Sequence, residues 1–247
     1  MLRSRIIPFL LLRGNGLVKT RKFSDEKYVG DPLNAVKIFN EKEVDELTLL
    51  DIEATTSGKD PDIQLLKDIA TESRMPLCYG GGVRDADTAA KIIALGYEKV
   101  SVSDAALKRP ELVREMAERI GSQSVAVTID VKKEGVLGST HRVYSRNATQ
   151  RHKVSPIDFA VQCTELGAGE IVLNSIDHDG SMQGYDLDLA SRLRSVITVP
   201  MTIVGGAGSV DHLQRLTDEF GPIGAGVGSF FVFKGRYRAV LISYARP

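Results

Sequence analysis

The sequence predicts a single (β/α)8 barrel built from two similar halves, and three observations carry that expectation. Its 247 residues match the size at which eight βα units close into one barrel. Short apolar, β-branched runs alternate with longer amphipathic ones, as in successive units around a parallel sheet. One motif also returns: Met75-Pro76-Leu77-Cys78-Tyr79-Gly80-Gly81-Gly82 recurs as Val199-Pro200-Met201-Thr202-Ile203-Val204-Gly205-Gly206, and the same offset relates Asp45-Glu46-Leu47 to Gly169-Glu170-Ile171. A shared offset argues for a duplicated four-strand half, which divides a single 1–247 domain into halves of about 1–122 and 123–247. Neither half should fold alone, because only closure removes the sheet edges.

The expected strands are residues 5–12, 45–51, 76–80, 99–103, 124–131, 170–175, 199–204 and 223–228. The first could be taken for a signal sequence, since residues 6–12 are apolar after Arg3 and Arg5. Pro8 interrupts that run and no small-residue cleavage site follows it, so a buried strand fits better. Helical patterns fall at 31–43, 61–74, 86–96, 110–120, 156–167 and 210–220, several opening on Pro, Asp or Ser and closing on Gly. Two connections, 13–30 after the first strand and 132–153 after the fifth, exceed the usual length and are rich in Lys and Arg.

Composition narrows the function classes. Lys plus Arg and Asp plus Glu both number 32, so no net field draws the chain to nucleic acid or to an anionic membrane, and any anion site is local. No run reaches the ~18 apolar residues that span a bilayer. Cys78 and Cys163 lie in apolar runs without a CxxC, as buried thiols of a reducing cytoplasm do. The four histidines, His141, His152, His178 and His212, show no ligand spacing, and neither a metal nor a cofactor is expected.

In a barrel of this kind the strand C-termini carry the chemistry. Gly81 and Gly82 after the third strand, and Gly205 and Gly206 after the seventh, let backbone N–H groups approach an oxyanion, and Gly228 with Ser229 would complete the second cradle. Asp130 ends the fifth strand and Asp179 follows the sixth; with Asp51 and Lys19 they should face the mouth as catalytic or binding groups.

The motifs Arg5-Ile6-Ile7-Pro8, Gly30-Asp31-Pro32, Leu50-Asp51-Ile52, Gly80-Gly81-Gly82-Val83, Lys99-Val100-Ser101, Ile129-Asp130, Ser175-Ile176-Asp177-His178-Asp179-Gly180 and Gly184-Tyr185-Asp186 resemble HisF, the cyclase subunit of imidazole glycerol phosphate synthase. The likeness runs in one register from residue 1 to about 235. It implies a HisH-like glutaminase docked on the N-terminal face, ammonia passing through the barrel, and a phosphorylated small molecule at the C-terminal face. It also implies an ammonia gate of four charges, matched by Arg5, Glu46, Lys99 and Glu170 on alternate strands, expected to form two interlocked pairs. At the mouth Asp130, Asp179 and Lys19 match catalytic positions, and Ser103 falls at a phosphate contact.

The chain departs from the pattern at three places. Leu11 stands where the family carries its first-strand aspartate, Asp104 follows Ser103 where the family has Asn-Thr, and Val204 replaces a serine. A leucine cannot titrate, so loss of one of two opposed proton-transfer groups should cost ~10²–10⁴ in rate. Asp104 opposes phosphate binding unless it is protonated or a nearby Lys neutralises it. Leu10-Leu11-Leu12 followed by Gly16-Leu17-Val18-Lys19-Thr20 looks like the WbuZ branch of surface-polysaccharide (O-antigen) gene clusters. That likeness implies a barrel conducting ammonia to an N-acetyl sugar amidotransferase, and the alternative is a true cyclase (a lyase) of histidine biosynthesis.

Overall fold

Eight parallel strands close on one another in the computed structural model, which describes residues 3–135 and 140–247. They are β1 (Arg5–Arg13), β2 (Leu47–Asp51), β3 (Leu77–Gly80), β4 (Lys99–Val102), β5 (Val125–Glu134), β6 (Glu170–Ser175), β7 (Met201–Val204) and β8 (Gly224–Val227). Each pairs with its neighbour in the sequence, Arg5 stands opposite Gly224, and Glu170 stands opposite Ala126, so the cylinder has no open edge. The (β/α)8 expectation therefore holds, with every expected strand present and boundaries shifted by a few residues.

The strands read as continuous apolar runs because both of their faces are covered. In β1, Ile6, Leu10 and Leu12 pack outward against the helices, while Ile7 and Phe9 join Ala126 and Val172 inside the barrel, with Leu50 and Val204 packed beside them. The longer helices are α1 (Pro32–Glu41), α2 (Ile63–Glu72), α3 (Ala86–Ala94), α4 (Glu111–Ile120), α5 (Pro156–Glu165), α6 (Leu187–Arg194) and α7 (Val210–Phe220), with short helical turns at Ala54–Ser57, Asp104–Lys108 and Ser229–Val232. Asp31, Asp62, Asp85, Ser155, Asp186 and Ser209 each accept a first-turn backbone N–H, which fixes where α1, α2, α3, α5, α6 and α7 begin. The short α6 escaped the sequence reading.

The two long connections fold back as antiparallel hairpins. Residues Gly16–Arg21 pair with β1 and with Ser24–Gly30, and Thr140–Ser145 pairs with β5 and with Gln150–Arg151. Residues 136–139 of the 132–153 connection lie outside the described residues. Both hairpins rise from strand C-termini, on opposite sides of the mouth. Among the described residues no helix is long and apolar enough to cross a membrane.

Candidate active site

At the N-terminal end, four charges fill the barrel bottom. Arg5 bonds Glu46 through Nη1 and Glu170 through Nη2 at 2.8 Å, while Lys99 Nζ lies 2.8 Å from Glu46 and 2.7 Å from Glu170. The result is one closed cycle of alternating sign rather than two separate pairs. Its members stand on or directly before β1, β2, β4 and β6, which corrects the expectation of alternate strands. Glu46 and Glu170 are buried, and Thr202 Oγ1 also donates to Glu170. Burial disfavours the Glu170 carboxylate, yet Lys99 and Arg5 outweigh it and hold the group below the usual range.

At the opposite end the strand C-termini enclose a cavity of about 730 Å³. Leu11, Lys19, Asp51, Gly81, Gly82, Ser103, Asp130, Asp179, Gly205, Gly206, Gly228 and Ser229 all line it, so the fold gathers every mouth residue expected from the sequence. Asp130 is the most perturbed acid there. Burial pushes it up to about 7, against a 2.8 Å hydrogen bond from Asn174 Nδ2 that favours its charged form. Asp179 is also raised by burial, although Thr20 Oγ1 at 2.7 Å and the Phe23 N–H at 3.1 Å donate to it. Lys19 is buried and donates to the Phe9 carbonyl; burial lowers it to about 8 while Asp179 opposes the shift. The site thus offers an acid and an amine that both exchange protons near neutrality.

The remaining positions divide by role. Asp51 lines the mouth, but its Oδ1 accepts the N–H groups of Glu53 and Ala54 at 2.9 Å, so it also fixes the turn after β2. Gly81 (φ +123°) and Gly205 (φ +94°) are required by backbone packing as well: a Cβ on Gly205 would lie 2.6 Å from the Ser175 carbonyl oxygen, and one on Gly81 would strike Asp51. The Ser103 hydroxyl is buried without a hydrogen-bond partner among the described residues, which leaves it available to a ligand.

The departures are explicit in the geometry. Leu11 projects into the mouth from β1, and on a closed eight-strand cylinder β1 stands diametrically opposite β5, which carries Asp130. Asp104 is neutralised by Lys108 at 2.7 Å, with Ser145 Oγ donating at 2.8 Å. Burial would raise it, and these partners hold it below the usual carboxylate range. Three further basic side chains, Arg84, Arg109 and Arg146, line the cavity together with Lys108. Sequence reasoning missed Asn174, Thr128 and Ser101. Strand alternation was the available signal, since inward Glu170 predicts inward Val172 and Asn174, Lys99 predicts Ser101, and Asp130 predicts Thr128.

Residues 5–238 match the family described as "Histidine biosynthesis protein". A Vibrio vulnificus protein provisionally named imidazole glycerol phosphate synthase subunit hisF3 is 55% identical over all of this chain and 95% of its own length. A Pseudomonas aeruginosa protein provisionally named subunit hisF2 is 50% identical over 99% of the chain and 96% of its own length. The imidazole glycerol phosphate synthase subunit HisF of Exiguobacterium sibiricum is 38% identical over 87% of the chain and 85% of its own length.

Proposed function

This chain belongs to the histidine biosynthesis family, as a HisF-type barrel, and from that premise we propose that it is the ammonia-using subunit of a glutamine amidotransferase. A HisH-like glutaminase docks at the N-terminal face and hydrolyses glutamine, and the released ammonia passes the charged ring towards a phosphorylated acceptor at the mouth. One observation carries the reading: four mutually satisfied charges close one end of the barrel while Lys19, Asp130 and Asp179 meet in the cavity at the other. Two buried carboxylates with two partly buried cations make a poor stability device, because an apolar plug of the same volume serves at least as well. A ring that parts briefly, by contrast, admits a small neutral molecule and holds back bulk water.

Two chemistries are open to such a subunit. The names of the relatives favour the cyclase step of imidazole glycerol phosphate synthase, a lyase reaction in which Asp130 exchanges a proton with the bound acceptor. Leu11 favours the second reading, because it leaves Asp130 without an acid on the opposing strand. There the barrel conducts ammonia to an N-acetyl sugar amidotransferase, as the resemblance to the surface-polysaccharide branch implies.

The deciding experiment supplies the copurified barrel and glutaminase with the bis-phosphorylated HisF substrate, using either glutamine or an ammonium salt as nitrogen source. Cyclised product from both sources establishes the cyclase. Absence of product from ammonium, with glutamine hydrolysis still stimulated by the barrel, establishes the conduit. A barrel that neither binds the glutaminase nor stimulates it defeats both.

A further inference from the structure

Phe9 occupies a position that neither the ring nor the mouth accounts for. It is 4% exposed, and it lines both the mouth cavity and a small void of about 10 Å³ beneath it. The void is bounded by Glu46, Lys99 and Glu170 at one end and by Thr48, Cys78 and Thr202 around its sides. At the level of Phe9 the barrel is walled by Ile7, Ala126 and Val172, an apolar collar between two polar compartments. Two contacts seat the residue: its ring lies so close to β8 that a Cβ on Gly226 would stand 2.9 Å from Cε2, and Lys19 bonds its carbonyl oxygen.

We propose that the Phe9 side chain is an inner gate on the ammonia path, in series with the charged ring, closing the axis of the barrel between the ring chamber and the mouth. The proposal rests on the reading that ammonia crosses this barrel. Protein interiors leave few gaps larger than a water molecule, so passage requires the ring to swing aside. An apolar collar imposes a desolvation cost on ammonium far above that on neutral ammonia, so the gate selects the reactive form and holds back its conjugate acid.

The barrel contains its own reporter of that barrier. Cys78 lines the void behind Phe9, whereas Cys163 is buried in α5 on the outside of the cylinder. The experiment reacts the full chain with methylmercury chloride and follows each thiol separately by peptide mass. Because the rate of modifying a buried group follows the opening that exposes it, Phe9→Ala should label Cys78 roughly tenfold faster or more while Cys163 is unchanged. Phe9→Leu should give a smaller gain in the same direction. An unchanged Cys78 rate in a folded Phe9→Ala variant overturns the gate. If Phe9→Ala loosens the whole fold, so that both thiols accelerate, Phe9→Leu decides: a gain confined to Cys78 supports the gate and equal rates overturn it. Glutamine-driven turnover is measured on the same variants. Turnover with no selective exposure of Cys78 overturns the gate alone, whereas selective exposure in a barrel that uses ammonium but not glutamine overturns ammonia passage.

Discussion

Asn174 and Asp130 stand opposite one another on β6 and β5, with Asn174 Nδ2 donating to Asp130 Oδ1 at 2.8 Å. The bond favours the carboxylate, burial disfavours it, and burial dominates, leaving the acid at about 7. Asn174 therefore orients Asp130 without fixing its charge, so one side chain can give or take a proton near neutrality.

The stability consequence has a definite sign. An Asp raised from about 3.9 in the unfolded chain to about 7 in the folded one binds more protons when folded, so stability falls as pH rises between those values. Replacing Asp130 with Asn removes that dependence. The variant is expected to match the parent near pH 4 and to exceed it by about 2–4 kcal/mol at pH 8, while losing any proton-transfer activity. Urea unfolding at the two pH values measures the difference, and an equal ΔΔG at both would place Asp130 in its ordinary range.

At the closed end, Lys99→Ala leaves Glu46 and Glu170 sharing Arg5 alone. Breaking a buried ion network by removing one partner costs about 3–5 kcal/mol, and because Lys99 retains some solvent access the loss should fall at the lower end. In the complex, glutamine hydrolysis should continue while the ratio of glutamate formed to acceptor aminated rises. A folded variant with an unchanged ratio would leave the ring a structural feature only. The Glu170 carboxylate, held below its unfolded value, contributes stability above that value which is lost as pH falls through its folded one, so Glu170→Gln should flatten the acid limb of the unfolding profile.

What was legible in the sequence follows from which interactions are local. The strands of the barrel announce themselves because both faces are buried, and residues such as Asp85 and Ser209 mark helix starts by chemistry confined to one turn. The hairpin 16–30 has the sequence of a loop because its second strand, Ser24–Gly30, is largely exposed and carries Ser, Asp, Glu and Lys without alternation; only backbone pairing makes it a strand. The candidate site was legible where motif and strand end coincide, as at Asp130 and Asp179. The neutralisation of Asp104 depends on Lys108 one helical turn away and on Ser145 from a distant hairpin. The first contact is visible as an i,i+4 spacing; the second exists only once the barrel has closed.

Gly206 and Gly14 form a matched contrast. Both have positive φ, +107° and +54°, but a Cβ on Gly206 would strike the Gly184 carbonyl, whereas nothing lies within 4 Å of one on Gly14. The Gly184 N–H also donates to the Gly206 oxygen at 2.8 Å, so the two segments are locked together. Gly14→Ala should cost about 1–2 kcal/mol, the left-handed penalty alone. Gly206→Ala adds about 1–3 kcal/mol of overpacking to its own backbone strain. Thermal unfolding of both variants tests the ordering, and equal losses would mean that the second cradle yields easily.

Leu11 gives the sharpest test of the reaction itself. It faces the cavity from β1 while Asp130 faces it from β5 across the barrel; β1 itself offers no acid there, Asp51 on β2 has its Oδ1 engaged by Glu53 and Ala54, and Asp25 and Glu26 reach the cavity only from the exposed hairpin strand rather than from the barrel wall. Proton transfer at two opposed points of a substrate therefore has one competent group where two are needed, a deficit of ~10²–10⁴ in rate. On that basis the unmodified chain is expected not to restore growth to a histidine auxotroph lacking its cyclase subunit. Leu11→Asp restores a carboxylate to the β1 wall of the cavity, which Lys19 also lines. Rescue should still be partial, because Asp104 and Val204 remain at the two phosphate positions and each missing charge-assisted hydrogen bond weakens binding by about 1.5–3 kcal/mol. Growth of the auxotroph with the unmodified chain would instead show that Asp130, Asp179 and Lys19 suffice for cyclisation and would remove the case for a conduit; no growth with either form, alongside intact glutaminase stimulation, would leave ammonia delivery as the function of the barrel.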